Sequence, residues 1–160
     1  MLSPLAPLRP RQTRRYRNHV TELDLPYVDE HAVDVRESRD VLWTAVEEYA
    51  TGLGFGRHNP IPMVLGTEPR AGFQVAESVP GERLALEGRH RFSRYRLVFE
   101  LGPLTAGSIK LSAKTYAEFP GLRGRAYRAL VIGSHGHAVL TSQMVKSIAR
   151  RATKLAGQAT

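Results

Sequence analysis

Glu77, His90 and Tyr95 are the residues of this chain best suited to move a proton. A carboxylate and an imidazole can trade a proton near neutral pH, and a phenol can donate to a carbonyl or enolate oxygen. Such a set suits an aldol-type cyclisation or a dehydration. Each of the three falls on the apolar side of an alternating strand pattern, and that placement singles them out. A polar group on a face selected for burial costs about 1–3 kcal/mol when unpaired, so it needs a partner or a ligand. The same parity carries His31 and Thr115 to that face. Fixing the polar end of an apolar ligand is the simpler role for these groups, and acid–base catalysis is the rival.

Other chemistry finds little support. The chain has no cysteine, which excludes disulfides, thiolate metal sites and cysteine nucleophiles. His135 and His137 flank Gly136, but residues two apart do not share a helix face and no carboxylate lies near them in sequence. The expectation there is a helix break with one histidine packed and one solvated, and no metal or other cofactor. Gly52-Leu53-Gly54-Phe55-Gly56 lacks the spacing of a phosphate loop, and Gly133-Ser134-His135-Gly136-His137 lacks that of a nucleophile elbow.

The elements that must position these groups follow from periodicity. Residues 30–36 alternate and predict a first strand with His31, Val33 and Val35 on one face. Ser38 is a good N-cap for a helix carrying Leu42, Ala45, Val46 and Tyr49, stopped by the glycines from Gly52. Residues 57–71 hold three prolines and predict a loop. Further strands are predicted over 72–79, 83–90, 94–101 and 108–119, with turns at Pro80-Gly81, around Phe92, from Gly102 to Gly107 and at Pro120-Gly121. Parity turns Phe73, Val75, Leu84, Leu86, Leu97, Phe99, Ile109, Leu111 and Ala113 to the apolar side, with Glu77, His90 and Tyr95 among them. From Leu122 the period becomes helical, through Tyr127, Leu130, Met144, Ile148 and Leu155, with a kink or break at Gly133 and Gly136.

Charge is unevenly spread along a chain of 160 residues with net charge +8. Residues 1–18 contain five arginines, three prolines and no carboxylate, so they predict a flexible basic leader outside a domain spanning 19–160. Phe119 to Thr160 holds no carboxylate but seven cations, among them Lys146, Arg150, Arg151 and Lys154 near the end of the last helix, where the helix dipole favours them. No compact basic motif accompanies this charge, so specific nucleic-acid binding is not expected. Proline breaks the only apolar stretch near the N-terminus and no run reaches ~20 apolar residues, so neither an export signal nor a membrane span is expected and the protein reads as soluble and cytoplasmic.

Strand, helix, several antiparallel strands and a long C-terminal helix is an order that resembles the START-like, or SRPBCC, helix-grip superfamily. The wording of three stretches is similar too: His31-Ala32-Val33-Asp34-Val35 with Ser38, Val41 and Trp43; Gly81 to Gly88 followed by His90 to Tyr95; and Ala117 to Gly121 continuing to Gly133. The resemblance covers about residues 28–155. It implies an α+β fold, an antiparallel sheet wrapped around a long C-terminal helix, with a cavity between them. In that setting the expected function is binding of a small hydrophobic or amphipathic ligand by His31, Phe73, Val75, Leu84, Leu86, Leu97, Phe99, Leu111, Thr115, Tyr127 and Met144. A polyketide cyclase or dehydratase-like enzyme using Glu77, His90 and Tyr95 is the alternative, and an interaction protein acting through its basic termini is a third.

Overall fold

Alternating apolar residues over Arg83–His90 and the two segments that follow build the centre of one antiparallel sheet. The computed structural model describes residues 25–54, 68, 72–131 and 136–158. The basic leader, nearly all of the 57–71 loop and the glycine break at 133 lie outside the described residues. The strands are β1 (Tyr27–Val35), β2 (Gln74–Val79), β3 (Arg83–His90), β4 (Ser93–Thr105) and β5 (Ser108–Glu118), and the helices are α1 (Arg39–Gly54), α2 (Gly121–Val131) and α3 (Gly136–Gln158). The sheet order is β1-β5-β4-β3-β2, which leaves β1 and β2 at its edges.

Local chemistry explains the boundaries. Ser38 opens α1: its carbonyl accepts the amide of Leu42 at 3.0 Å and its hydroxyl lies 3.4 Å from the amide of Val41. Strand β4 runs on to Thr105, through the Gly102-Pro103 pair read from sequence as a turn. A register shift between Leu101 and Leu104 absorbs those two residues, because a bulge tolerates a proline that a regular ladder would not. The turn itself is Ala106-Gly107, both with positive φ (50° and 76°), as a two-residue hairpin linking right-twisted strands requires.

Direct cross-strand partners share a face of the sheet, so the register defines the two sides. Leu84 pairs with Phe99, Phe99 with Ala113, Leu101 with Leu111 and Val35 with Ile109, all on the inner side. Helix α1 brings Leu42, Trp43, Ala45 and Val46 onto this side, and α3 brings Met144, Val145, Ile148 and Ala152. α3 packs along β1 and β5 and against α1. Phe99, Leu111 and Ile148 are wholly buried there. Each such side chain stabilises the fold by about 1.5–3 kcal/mol through loss of apolar surface to water. The sheet and its C-terminal helix thus hold a dry core, the α+β helix-grip arrangement.

Candidate functional site

Two ends of the inner face differ in character. At the near end, where the β2–β3 and β4–β5 turns lie, apolar side chains close the space between sheet and helices. Leu84, Leu86, Leu97, Phe99, Leu111 and Met144 are all buried and belong to one packed cluster. These six were expected to line a ligand space, but among the described residues they fill it instead. The physical reason is the apolar stripe of α1, which adds Leu42 and Val46 to the same volume.

At the far end, where β3 turns into β4, polar groups replace apolar ones on the same face. His31 pairs with Ala113 and Asp29 with Thr115, so both side chains rise from the inner side of β1. His31 Nε2 lies 3.4 Å from Asp29 Oδ2, and His137 Nε2, from the first turn of α3, lies 3.4 Å from Asp29 Oδ1. Thr141, one turn further along α3, donates to the carbonyl of His137 and is 1% exposed. Thr115 is also buried, and among the described residues its hydroxyl has no hydrogen-bond partner. By contrast, the His31 side chain keeps 27% of its surface in water, and those of Asp29 and His137 each keep 21%.

Across Thr115 and Leu97 from this group stands an aromatic one. Tyr95 packs edge-on against Phe73, ring centroids 5.1 Å apart, and its ring lies 5.8 Å from that of His90. The Tyr95 hydroxyl donates to the carbonyl of Gly72 at 2.5 Å. His90 Nδ1 accepts the amide of Phe92 at 3.2 Å, which places the ring proton of the neutral imidazole on Nε2. Burial pushes the His90 pKa below its usual range, so the ring favours that neutral form.

Glu77 does not join His90 and Tyr95. Val75 pairs with Leu86, but Glu77 pairs with Ala85, so Ala76 is an extra residue that reverses the parity of β2. The Glu77 carboxylate therefore lies on the outer face, 3.1 Å from Arg96 Nη2 and 3.5 Å from Arg83 Nε. The proton-moving set read from sequence is divided between the two sides of the sheet. Val75, on the edge strand, is 60% exposed, and the side chain of Tyr127 lies outside the described residues.

The outer face carries a lattice of charge around the buried pair Ala85 and Val98. Glu100 accepts from both Arg83 and Lys114 at 2.5 Å. The bond to Glu100 raises the Lys114 pKa against a smaller opposing effect of burial. An open depression of about 640 Å³ lies over this face, lined by Arg39, Lys110, Ser112 and Lys114 among others. Its charges are largely met within the protein: Lys110 faces Glu30 at 3.7 Å, and Arg39 donates to the carbonyls of Gly81 and Gly102, each at 2.7 Å.

Asp29 and His137 were not singled out as site residues by sequence reasoning. Asp29 has the parity of His31 but falls one residue before the strand start drawn at Glu30. His137 lies four and seven residues before Thr141 and Met144, which extends the buried stripe of α3, so the packed histidine of the pair expected at the helix break had a helical signal. Among the described residues no group of three or more His, Asp or Glu is arranged to hold a metal ion.

Five antiparallel strands in the order β1-β5-β4-β3-β2, gripping a long C-terminal helix, decide the architecture. The fold is the α+β helix grip. A conserved protein from Geobacillus kaustophilus is similar over 78% of this chain and 94% of its own, with 15% identity and a TM-score of 0.51. The di-domain ARO/CYC StfQ from the steffimycin biosynthetic pathway matches 85% of this chain at 16% identity and a TM-score of 0.48, and this chain spans 53% of it. Norcoclaurine synthase from Thalictrum flavum, in complex with dopamine and hydroxybenzaldehyde, matches 99% of both chains at 15% identity and a TM-score of 0.47. No family model and no curated protein matches the sequence. At these identities the likeness speaks for the fold alone. No helix among the described residues is long and apolar enough to cross a membrane.

Proposed function

We propose that this helix-grip protein binds a small amphipathic molecule at the far end of the inner face, between the sheet and the first turns of α3. One observation carries the reading: along the inner side of β1 Val35 is buried, whereas Val33, His31 and Asp29 are only partly so. Packing that is complete at one end and more open at the other leaves a place for an apolar body beside the partly buried Phe73. Polar groups then stand ready for its head. The Asp29, His31 and His137 side chains would hold that head, and Phe73 and Tyr95 would flank it.

The test is native mass spectrometry of the purified full chain, followed by thermal unfolding with decanoic acid and with 2-tetralone. A ligand at a hundredfold excess over its Kd stabilises the folded state by about 2.7 kcal/mol, which for a chain of this size raises Tm by several degrees. A co-purified small molecule, or a rise of that size with either probe, is the expected result. A bare protein whose Tm neither probe moves would refute the reading.

Interaction through the basic termini has less to support it. Arg151 is bound by Glu48 of α1, which ties helix to helix, and Arg150 donates to Ser147 within α3.

A further inference from the structure

Helix α2 makes no extensive contact with any other element of the fold. Of its residues whose side chains are described, Gly124 alone is buried; Leu122, Arg123, Arg125, Ala126, Arg128 and Ala129 are all exposed. Gly124 rests on the backbone of Phe119 and on the Phe92 carbonyl in the β3–β4 turn, where a Cβ would come within 2.6 Å of the Phe119 carbonyl carbon. Alanine, leucine and arginine are strong helix formers, so the segment keeps its shape with little burial.

At about 100° per residue, Leu122, Ala126 and Ala129 form a ridge on the side opposite Gly124, and Arg123 and Arg125 flank it on either hand. Leu122 is 77% exposed, more than any other large apolar residue among those described. The arginines have no structural partner to explain them. Arg83, Arg89, Arg94 and Arg96 of the sheet each meet a glutamate, but among the described residues no guanidinium of α2 makes an ion pair or a hydrogen bond. The helix dipole favours Arg128 in the last turn and opposes Arg123 in the first, so it does not account for the set. No carboxylate occurs from Phe119 to Thr160, and Glu118 just before them is met by Arg94 at 2.8 Å.

We infer that α2 is an interfacial helix that docks this protein on a bilayer of anionic phospholipid. With the helix in the plane of the headgroups, Leu122 lies below the phosphates. Arg123 and Arg125 reach those phosphates from either side, each with a planar fork that suits two oxygens. A bilayer of this kind is anionic at its skin and apolar just beneath, which matches both parts of the exposed face. Duplex nucleic acid offers the charge but no layer to receive a leucine. Docking through α2 does not rest on ligand binding at the inner face, and either can fail without the other.

The test is sedimentation of the full chain with vesicles of phosphatidylcholine, alone or mixed with phosphatidylglycerol. Each arginine close to an anionic leaflet favours partition about fivefold, so three give on the order of a hundredfold. The expected result is partition onto the mixed vesicles that falls by about that factor in the triple variant Arg123→Gln, Arg125→Gln, Arg128→Gln. Leu122→Gln alone should lower it at least about fivefold through lost burial of apolar surface. The emission of Leu122→Trp should shift to the blue on the same vesicles. All four positions are exposed, so the variants should keep the circular dichroism and Tm of the parent. Absence of binding to the mixed vesicles, or binding that the triple variant retains, overturns the inference. So does binding that Leu122→Gln leaves unchanged, which would mark α2 as a site for charge alone, such as duplex DNA or an acidic protein.

Discussion

Tyr95 lies across Gly88, its direct partner on the neighbouring strand, and passes over it to donate to the carbonyl of Gly72. A Cβ at Gly88 would come within 2.7 Å of the Tyr95 ring and would overlap the Gly72 oxygen outright. No real side chain makes such contacts. The absent side chain is what lets the chain ahead of β2 close down on β3. Gly88→Ala should therefore destabilise the protein by about 1–3 kcal/mol, the cost of forcing atoms into a full space. Tyr95→Phe should cost about 0.5–1.5 kcal/mol for the lost hydrogen bond. Urea unfolding of both variants checks the order, and a Gly88→Ala protein as stable as the parent would refute the overlap.

Arg39 ties the β2–β3 turn to the bulge of β4 from the first position of α1, through the carbonyls of Gly81 and Gly102. Charge-assisted bonds of this kind contribute about 1.5–3 kcal/mol, and the planar fork serves two acceptors that an ammonium cannot reach together. Arg39→Lys is expected to recover less than half of the loss seen in Arg39→Ala. Equal stability of the lysine variant and the parent would show that the fork is not needed.

Ala106 holds φ at 50°, a conformation that costs an ordinary side chain about 1 kcal/mol. Asparagine followed by glycine is the favoured pair for a turn of this kind, and Gly107 already supplies the second member. Ala106→Asn should raise stability by about 0.5–1 kcal/mol with no change in the denaturant m-value. A fall in the midpoint would contradict the positive φ.

His90 gives the protein a stability term that depends on pH. Its folded pKa lies below the unfolded one because burial disfavours the charged ring. Between the two values the unfolded chain binds the extra proton, so stability rises with pH there. The contribution is complete above the unfolded value of about 6.5 and is lost as pH falls through the folded one. His90→Asn, which keeps an acceptor near the Phe92 amide, should flatten that part of the stability–pH curve. An unchanged slope would assign it to other groups.

Much of the fold was legible because period two and period 3.6 are imposed by burial, and burial is what the sequence records most plainly. Leu84, Leu86, Leu97, Phe99, Ile109, Leu111 and Ala113 all took the predicted side. Glu77 did not, since one unpaired residue at Ala76 reverses parity and no residue type announces it. The filling of the near end was hidden for another reason. Whether a helix leaves room above a sheet depends on how the volumes of Leu42, Val46, Met144 and Ile148 add up, which alternation does not encode. Asp29 was recoverable by extending the first strand toward the N-terminus. Its pairing with His137 was not, because 108 positions separate the two and only the packed fold brings them together.

The extra residues at Val28 and Ala76 both fall on the marginal strands, β1 and β2. A second chain seeking to add itself to this sheet would find, on either side, a ladder that loses step once along its length. Misalignment of that kind discourages accretion of like upon like in a protein whose middle strands are rich in leucine.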